Sequence, residues 1–241
     1  MTDKFTIDGI EYSIKRTGRT SLGISVERDG TVIVTAPQDA DSAAIEKFVS
    51  SKRLWMHQKL AYKTQTNKEK IHRDFVNGQG FLYLGKSYRF KLMKNGDGRD
   101  SVKKSDGSHL LRFNHGHFEL PENEQARARE HFIKWYKKQT EQQMRLRIPR
   151  YDKRVGAAVQ SIRVLDLGNR WASCGDKGTL NFNWRTIMAT VWVFDYILVH
   201  ELAHMLLKGH TKDFWRLVSR VIPDYEEHKA WLQEHGVEMD I

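Results

Sequence analysis

Apolar positions alternate with polar ones through residues 5–36: Ile10, Tyr12 and Ile14, then Leu22, Ile24 and Val26, then Val32 and Val34. Alternation with a period of two predicts strands with one buried face. Asp29-Gly30 supplies a hairpin signal, so a three-stranded antiparallel piece is expected up to Pro37. From Asp41-Ser42 the period lengthens, and Ile45, Phe48, Val49, Trp55 and Leu60 define one helix reaching Tyr62. A polar link over 63–74 leads to a second β-region, with hairpins at 81–92 and 110–120 around a Gly-, Asp- and Lys-rich loop at 95–108.

Beyond residue 120 helical spacing dominates. Phe132, Trp135, Tyr136 and Met144 mark a long helix over 121–149. Strands follow at 159–165 and 180–184, then helices at 191–208 and 211–221 and a last short one to 234. No internal repeat is evident. The pattern gives an α+β protein in two parts: an antiparallel β-rich region with one helix over 1–120, and a helical and β core over 121–241.

The stretch 186–207 is apolar enough for a membrane span, but Asp195, His200, Glu201 and His204 interrupt it, which predicts a buried helix and no membrane association. Within it stands His200-Glu201-Leu202-Ala203-His204. Two His at i and i+4 share a helix face and can reach one ion, leaving the intervening Glu beside it to take a proton from water that the ion has acidified. Random order of this composition yields about 0.03 such matches, so coincidence is a poor account. A hydrolytic Zn2+ site needs a third protein ligand and an open position. His210 qualifies, because Gly209 can turn the chain back after a helix stop; Asp213, Glu226, Glu227 and His228 are its rivals. Cys174 lies far upstream in another element and is expected to pack rather than ligate.

Transition-state or substrate contacts could come from Arg170, Tyr196, Tyr225 or His228. The strand over 180–183 could offer an edge to an extended peptide. Asp195 should cap its helix or orient a ligand. His115 and His117 flank a turn and read as exposed turn residues.

Composition changes the picture in two ways. The 241 residues carry 40 Lys+Arg and 30 Asp+Glu, yet residues 161–241 hold nine basic and eleven acidic side chains, so the excess belongs to the first two-thirds. That basic region could approach a nucleotide or nucleic acid, its long helix included, although no phosphate-cradling GxxxxGK[ST] loop accompanies it. A single Cys and a charged N-terminus without an apolar core point to a reducing, cytoplasmic setting. Oligomeric state is not encoded legibly.

In Arg170-Trp171-Ala172-Ser173-Cys174, Asn181-Phe182-Asn183-Trp184-Arg185, Asp195-Tyr196, the 200–204 motif with His210, Phe214-Trp215 and Pro223-Asp224-Tyr225, the chain resembles the YgjP-like zinc metallohydrolases, relatives of SprT-like and Wss1-like proteins. Ala172 stands where that family usually has Gly. The resemblance implies a zincin-type core over 121–241, Zn2+ on His200, His204 and His210, and Glu201 as general base. It implies peptide or protein substrates, with nucleoside triphosphate pyrophosphatase chemistry as an alternative; the basic helix separately suggests a protease acting on nucleic-acid-bound proteins.

Overall fold

The computed structural model describes residues 4–27, 30–66, 73–94, 110–168 and 170–241; Asp29 and the 95–108 loop lie outside them. The fold is α+β, with six α-helices and three sheets among the described residues. The chain divides into two compact units, Met1–Lys70 and Ile71–Ile241.

The first unit is a four-stranded sheet of β1 (Lys4–Ile7), β2 (Ile10–Thr17), β3 (Gly23–Val26) and β4 (Val32–Pro37), followed by α1 (Ser42–Ser51) and α2 (Arg53–Thr66). The strand order is β1-β2-β4-β3, and β2 runs parallel to β4. The expected three-stranded antiparallel piece is therefore a mixed sheet with one further strand. Asp8 (φ 47) and Gly9 (φ 76) turn β1 into β2. The single helix expected to Tyr62 breaks at Lys52: the Ser51 hydroxyl donates to the Phe48 carbonyl at 2.7 Å and the Lys52 N–H to the Val49 carbonyl at 3.0 Å, a tightened turn that competes with helical bonding. Val32, Val34, Ile45, Val49 and Met56 form this unit's own core.

The second unit begins with β5 (Gly80–Tyr83), β6 (Lys86–Met93), β7 (Arg112–Asn114) and β8 (His117–Pro121), in the order β5-β6-β8-β7 with β6 parallel to β8. This is the order and direction of the first sheet. The turn again uses two positive-φ residues, Leu84 (φ 49) and Gly85 (φ 78). Phe5, Gly9, Tyr12 and Lys15 find counterparts at one constant offset in Phe81, Gly85, Tyr88 and Lys91. The structure thus contains an internal repeat that hydropathy alone did not reveal, because only a few residues of each copy match.

A 3-10 turn (Glu122–Arg127) leads into α3 (Ala128–Val155), whose Phe132, Trp135 and Tyr136 close over Phe81, Phe90 and Phe118 in a single aromatic core. That shared core is why the division falls after Lys70 rather than between residues 120 and 121. The helix also runs through Pro149, where an end was expected, and stops at Gly156 (φ 88), whose N–H bonds the Asp152 carbonyl at 2.7 Å. Burial of Ile148 and Val155 on either side of the proline holds the helix together across the lost hydrogen bond.

The remainder is a three-stranded sheet of β9 (Ser161–Leu165), β10 (Ala172–Cys174) and β11 (Thr179–Asn183), in the order β10-β11-β9, with α4 (Val191–His204), α5 (Lys212–Val221) and α6 (Tyr225–His235). Backbone N–H groups of Leu84 and Gly85 donate to the carbonyls of Ile187 and Met188 at 2.8 and 3.2 Å, so the β5–β6 turn docks beside the start of α4. A Cβ on Gly85 would lie 2.8 Å from the Thr190 Cα, which is why the turn can come this close.

Candidate metal centre

Helix α4 is apolar on nearly every side, as a helix enclosed by α3, α5, α6 and β10 must be; Phe194, Leu198, Val199 and Leu202 are fully buried. Thr190 starts it, its hydroxyl accepting from the Val193 N–H at 3.4 Å. His200 and His204 lie one turn apart at its end. Past the helix, Gly209 adopts φ +79 and directs His210 back toward them, after which Thr211 caps α5 by accepting from Phe214 N–H at 3.3 Å.

The three Nε2 atoms converge: His200 to His204 at 3.2 Å, His204 to His210 at 3.2 Å, His210 to His200 at 3.0 Å. A divalent ion held tetrahedrally by imidazoles at about 2.0–2.1 Å spaces its nitrogens by about 3.3 Å. This donor set therefore fits a metal. Among the described residues no other group of three metal-ligating side chains comes together. Burial, with His204, His210 and Lys229 close by, pulls the His200 imidazole down to about 3, and similar causes lower His210. Both shifts favour the neutral ring that ligates a cation. The His204 ring is oriented by its Nδ1, 3.3 Å from the Leu207 carbonyl, and by Phe214 stacked at 4.4 Å. Trp215 stacks on His210 at 5.5 Å.

Glu201 is 6 % exposed and faces a cleft of about 630 Å³ that His200, His204 and His210 also line. Burial pushes its carboxyl up to about 7, against the opposing pull of the Cys174 backbone N–H that it accepts and of Arg170. Arg170 lines the same cleft. Tyr196, Tyr225 and His228 do not line it. Tyr196 packs edge-on to His200 at 5.8 Å and 6.3 Å from His228, and Tyr225 stacks on Trp215 at 5.0 Å. Three of the four rival ligands are engaged elsewhere, Asp213 with Arg216 at 3.1 Å, Glu226 with the Tyr225 hydroxyl at 3.1 Å and His228 with Asp224 at 3.4 Å, and Glu227 does not join the histidine cluster.

Two expectations are corrected. Asp195 neither caps α4 nor touches a ligand; it pairs with Arg147 at 2.7 Å and accepts from the Tyr151 hydroxyl at 2.9 Å, tying α4 to α3. The strand over 180–183 is not an edge, because β11 is bonded on both sides. The edge strand beside the histidines is β10.

The family model for the YgjP-like metallopeptidase domain matches residues 20–235. The chain belongs to the YgjP-like family. No curated protein matches it. Among solved structures it is similar to the metallopeptidase zymogen abylysin of Pyrococcus abyssi, at 24% identity and a TM-score of 0.34, over 36% of this chain and 89% of that one. The YgjP-like chain is accordingly a metallohydrolase of the metallopeptidase type. None of its described helices is long and apolar enough to cross a membrane.

Several YgjP-like motif residues now have physical tasks. Asn183, fully buried, donates to the carbonyls of Gly168 and Arg170 at 3.1 and 2.9 Å and so fixes the backbone that presents Arg170. Arg185, 8 % exposed, bonds Asp166 and Asp240, each at 3.0 Å. Sequence reasoning missed the Cys174 backbone donor, since any residue can supply an N–H, and missed Lys177 and Lys208 on the cleft wall, since lone lysines carry no motif.

Proposed function

We propose that this chain is a zinc metallopeptidase in which His200, His204 and His210 hold Zn2+ and Glu201 is the general base. The observation that carries the reading is the convergence of three Nε2 atoms within 3.2 Å of one another on a cleft also walled by an edge strand. Imidazole donors suit Zn2+, which when bound supplies a Lewis acid that acidifies water and polarises a carbonyl.

Glu201 accepts the proton of the attacking water on its carboxylate and passes it to the leaving amine. The Cys174 N–H keeps that carboxylate turned toward the cleft, and its burial excludes bulk water from the proton path. Strand β10 has one paired edge; on the other, where Glu201 takes the Cys174 N–H, the remaining main-chain groups can bind an extended peptide and lay a peptide carbonyl across the histidines. Arg170, which lines the cleft, stabilises negative charge developing on that carbonyl oxygen.

The test is Glu201→Gln. It should retain stoichiometric zinc while peptide hydrolysis falls by at least about a hundredfold. Wild-type turnover in that variant would overturn the base assignment. Zinc that remains bound after His204→Ala and His210→Ala together would overturn the ligand set.

A further inference from the structure

Five of the aspartates of residues 161–241 are engaged by cationic or histidine partners and do not line the cleft. Asp166 and Asp240 are held by Arg185, Asp195 by Arg147, Asp213 by Arg216 and Asp224 by His228. Among the described residues the cleft wall carries Arg170, Lys177 and Lys208, and the carboxylate on it is the buried Glu201. Among the described residues, Lys177 and Lys208 form no ion pair or hydrogen bond. A fourth cation, Lys229, sits 4.9 Å over the Trp215 ring that stacks on His210. Uncompensated charges of one sign on low-dielectric walls focus the local field and select the opposite charge in a ligand.

Their order along the chain gives this field a direction. Arg170 precedes β10 and Lys177 follows it, so a peptide paired with β10 runs from one cation toward the other. Lys177 also adopts φ 59, ψ 33, a left-handed conformation that a side chain other than Gly, Asn or Asp seldom takes, retained here at a cost in backbone energy. Glycine would serve the turn better and leave the cleft one charge poorer.

We propose, on the basis of the peptidase reading above, that the cleft selects peptides bearing acidic side chains on the residues flanking the scissile bond, with Lys177 and Lys208 as the specificity determinants. The substrate class is an acidic extended segment.

The experiment compares zinc-loaded full-length protein on end-blocked peptides that differ only in Asp and Glu, Asn and Gln, or Lys flanking the same bond. Two charge-assisted contacts should favour the acidic series by about tenfold in kcat/KM over the amide series. The double variant Lys177→Gly/Lys208→Gln should bring that ratio close to one, and Lys177→Glu/Lys208→Glu should invert it toward the Lys peptides. Lys177→Gly suits the local backbone, so the first variant separates lost charge from lost fold, with zinc content as the check. Equal rates across the series, or a preference that survives both variants, overturns this inference and leaves the peptidase reading standing. Absence of cleavage in every series, or pyrophosphate release from a nucleoside triphosphate as the sole activity, overturns both.

Discussion

The two sheets, Lys4–Pro37 and Gly80–Pro121 in extent, share strand order, strand direction and a two-residue positive-φ turn, yet they serve different ends. In the first, the turn residue Asp8 pairs with Arg53 of α2, and the sheet's apolar face is satisfied by its own two helices. In the second, the equivalent Leu84 and Gly85 give their N–H groups to the segment that leads into α4. The same ββ–ββ scaffold is thus self-contained in one unit and a brace for the histidine-bearing helix in the other. What distinguishes them is whether the tip of the first hairpin is spent locally or donated.

The largest effect expected from this contrast lies in the ion pairs. Arg147 and Asp195 bridge α3 and α4 with side chains only 10% and 9% exposed, whereas those of Arg53 and Asp8 are 59% and 47% exposed. Removing one member of a buried pair strands the other charge. Asp195→Ala should therefore destabilise by about 3–5 kcal/mol, and Asp8→Ala by under about 1 kcal/mol. Urea denaturation followed by tryptophan fluorescence measures both. Equal losses would mean that α4 is not anchored through α3.

Next comes the turn itself. Gly85→Ala adds a Cβ against the Thr190 backbone at a positive φ, so about 3 kcal/mol and reduced zinc affinity are expected. Gly9 has the same sign of φ with nothing within 4 Å, so Gly9→Ala should cost only about 1 kcal/mol of backbone strain and leave zinc affinity unaltered. If both variants held zinc equally well, the brace would have no bearing on the site.

The repeat also explains what the sequence made legible. The strands, the α+β class and the 200–204 motif follow from periodicity and spacing, which are properties of consecutive residues. The parallel pairing of β2 with β4 and of β6 with β8 does not, because alternation is blind to strand direction. Nor does the placement of β10 at the sheet edge: a run of three residues is too short to carry a strand signal, and its role depends on which strand lies beyond it. His210 was legible through Gly209, a local device. Asp195 was misread because its partner Arg147 is far away in sequence and reaches it only through the packing of two helices.

The smallest expected effect concerns a third turn of the same kind, His115-Gly116 between β7 and β8, with φ 45 and φ 76. Type I′ turns favour Asn before Gly because Asn tolerates the left-handed region. His115 is exposed, and its carbonyl, not its ring, lies 3.0 Å from the Nδ1 of His117. His115→Asn should then raise stability by about 0.5 kcal/mol, leave that backbone contact in place and leave zinc stoichiometry unchanged. The same substitution decides whether this histidine pair is a second metal site, since a ligand role would cost the variant bound zinc. Unlike the Cβ position of Gly85, that of Gly116 has nothing described within 4 Å, and a gain in stability without loss of function is what such an open turn should give.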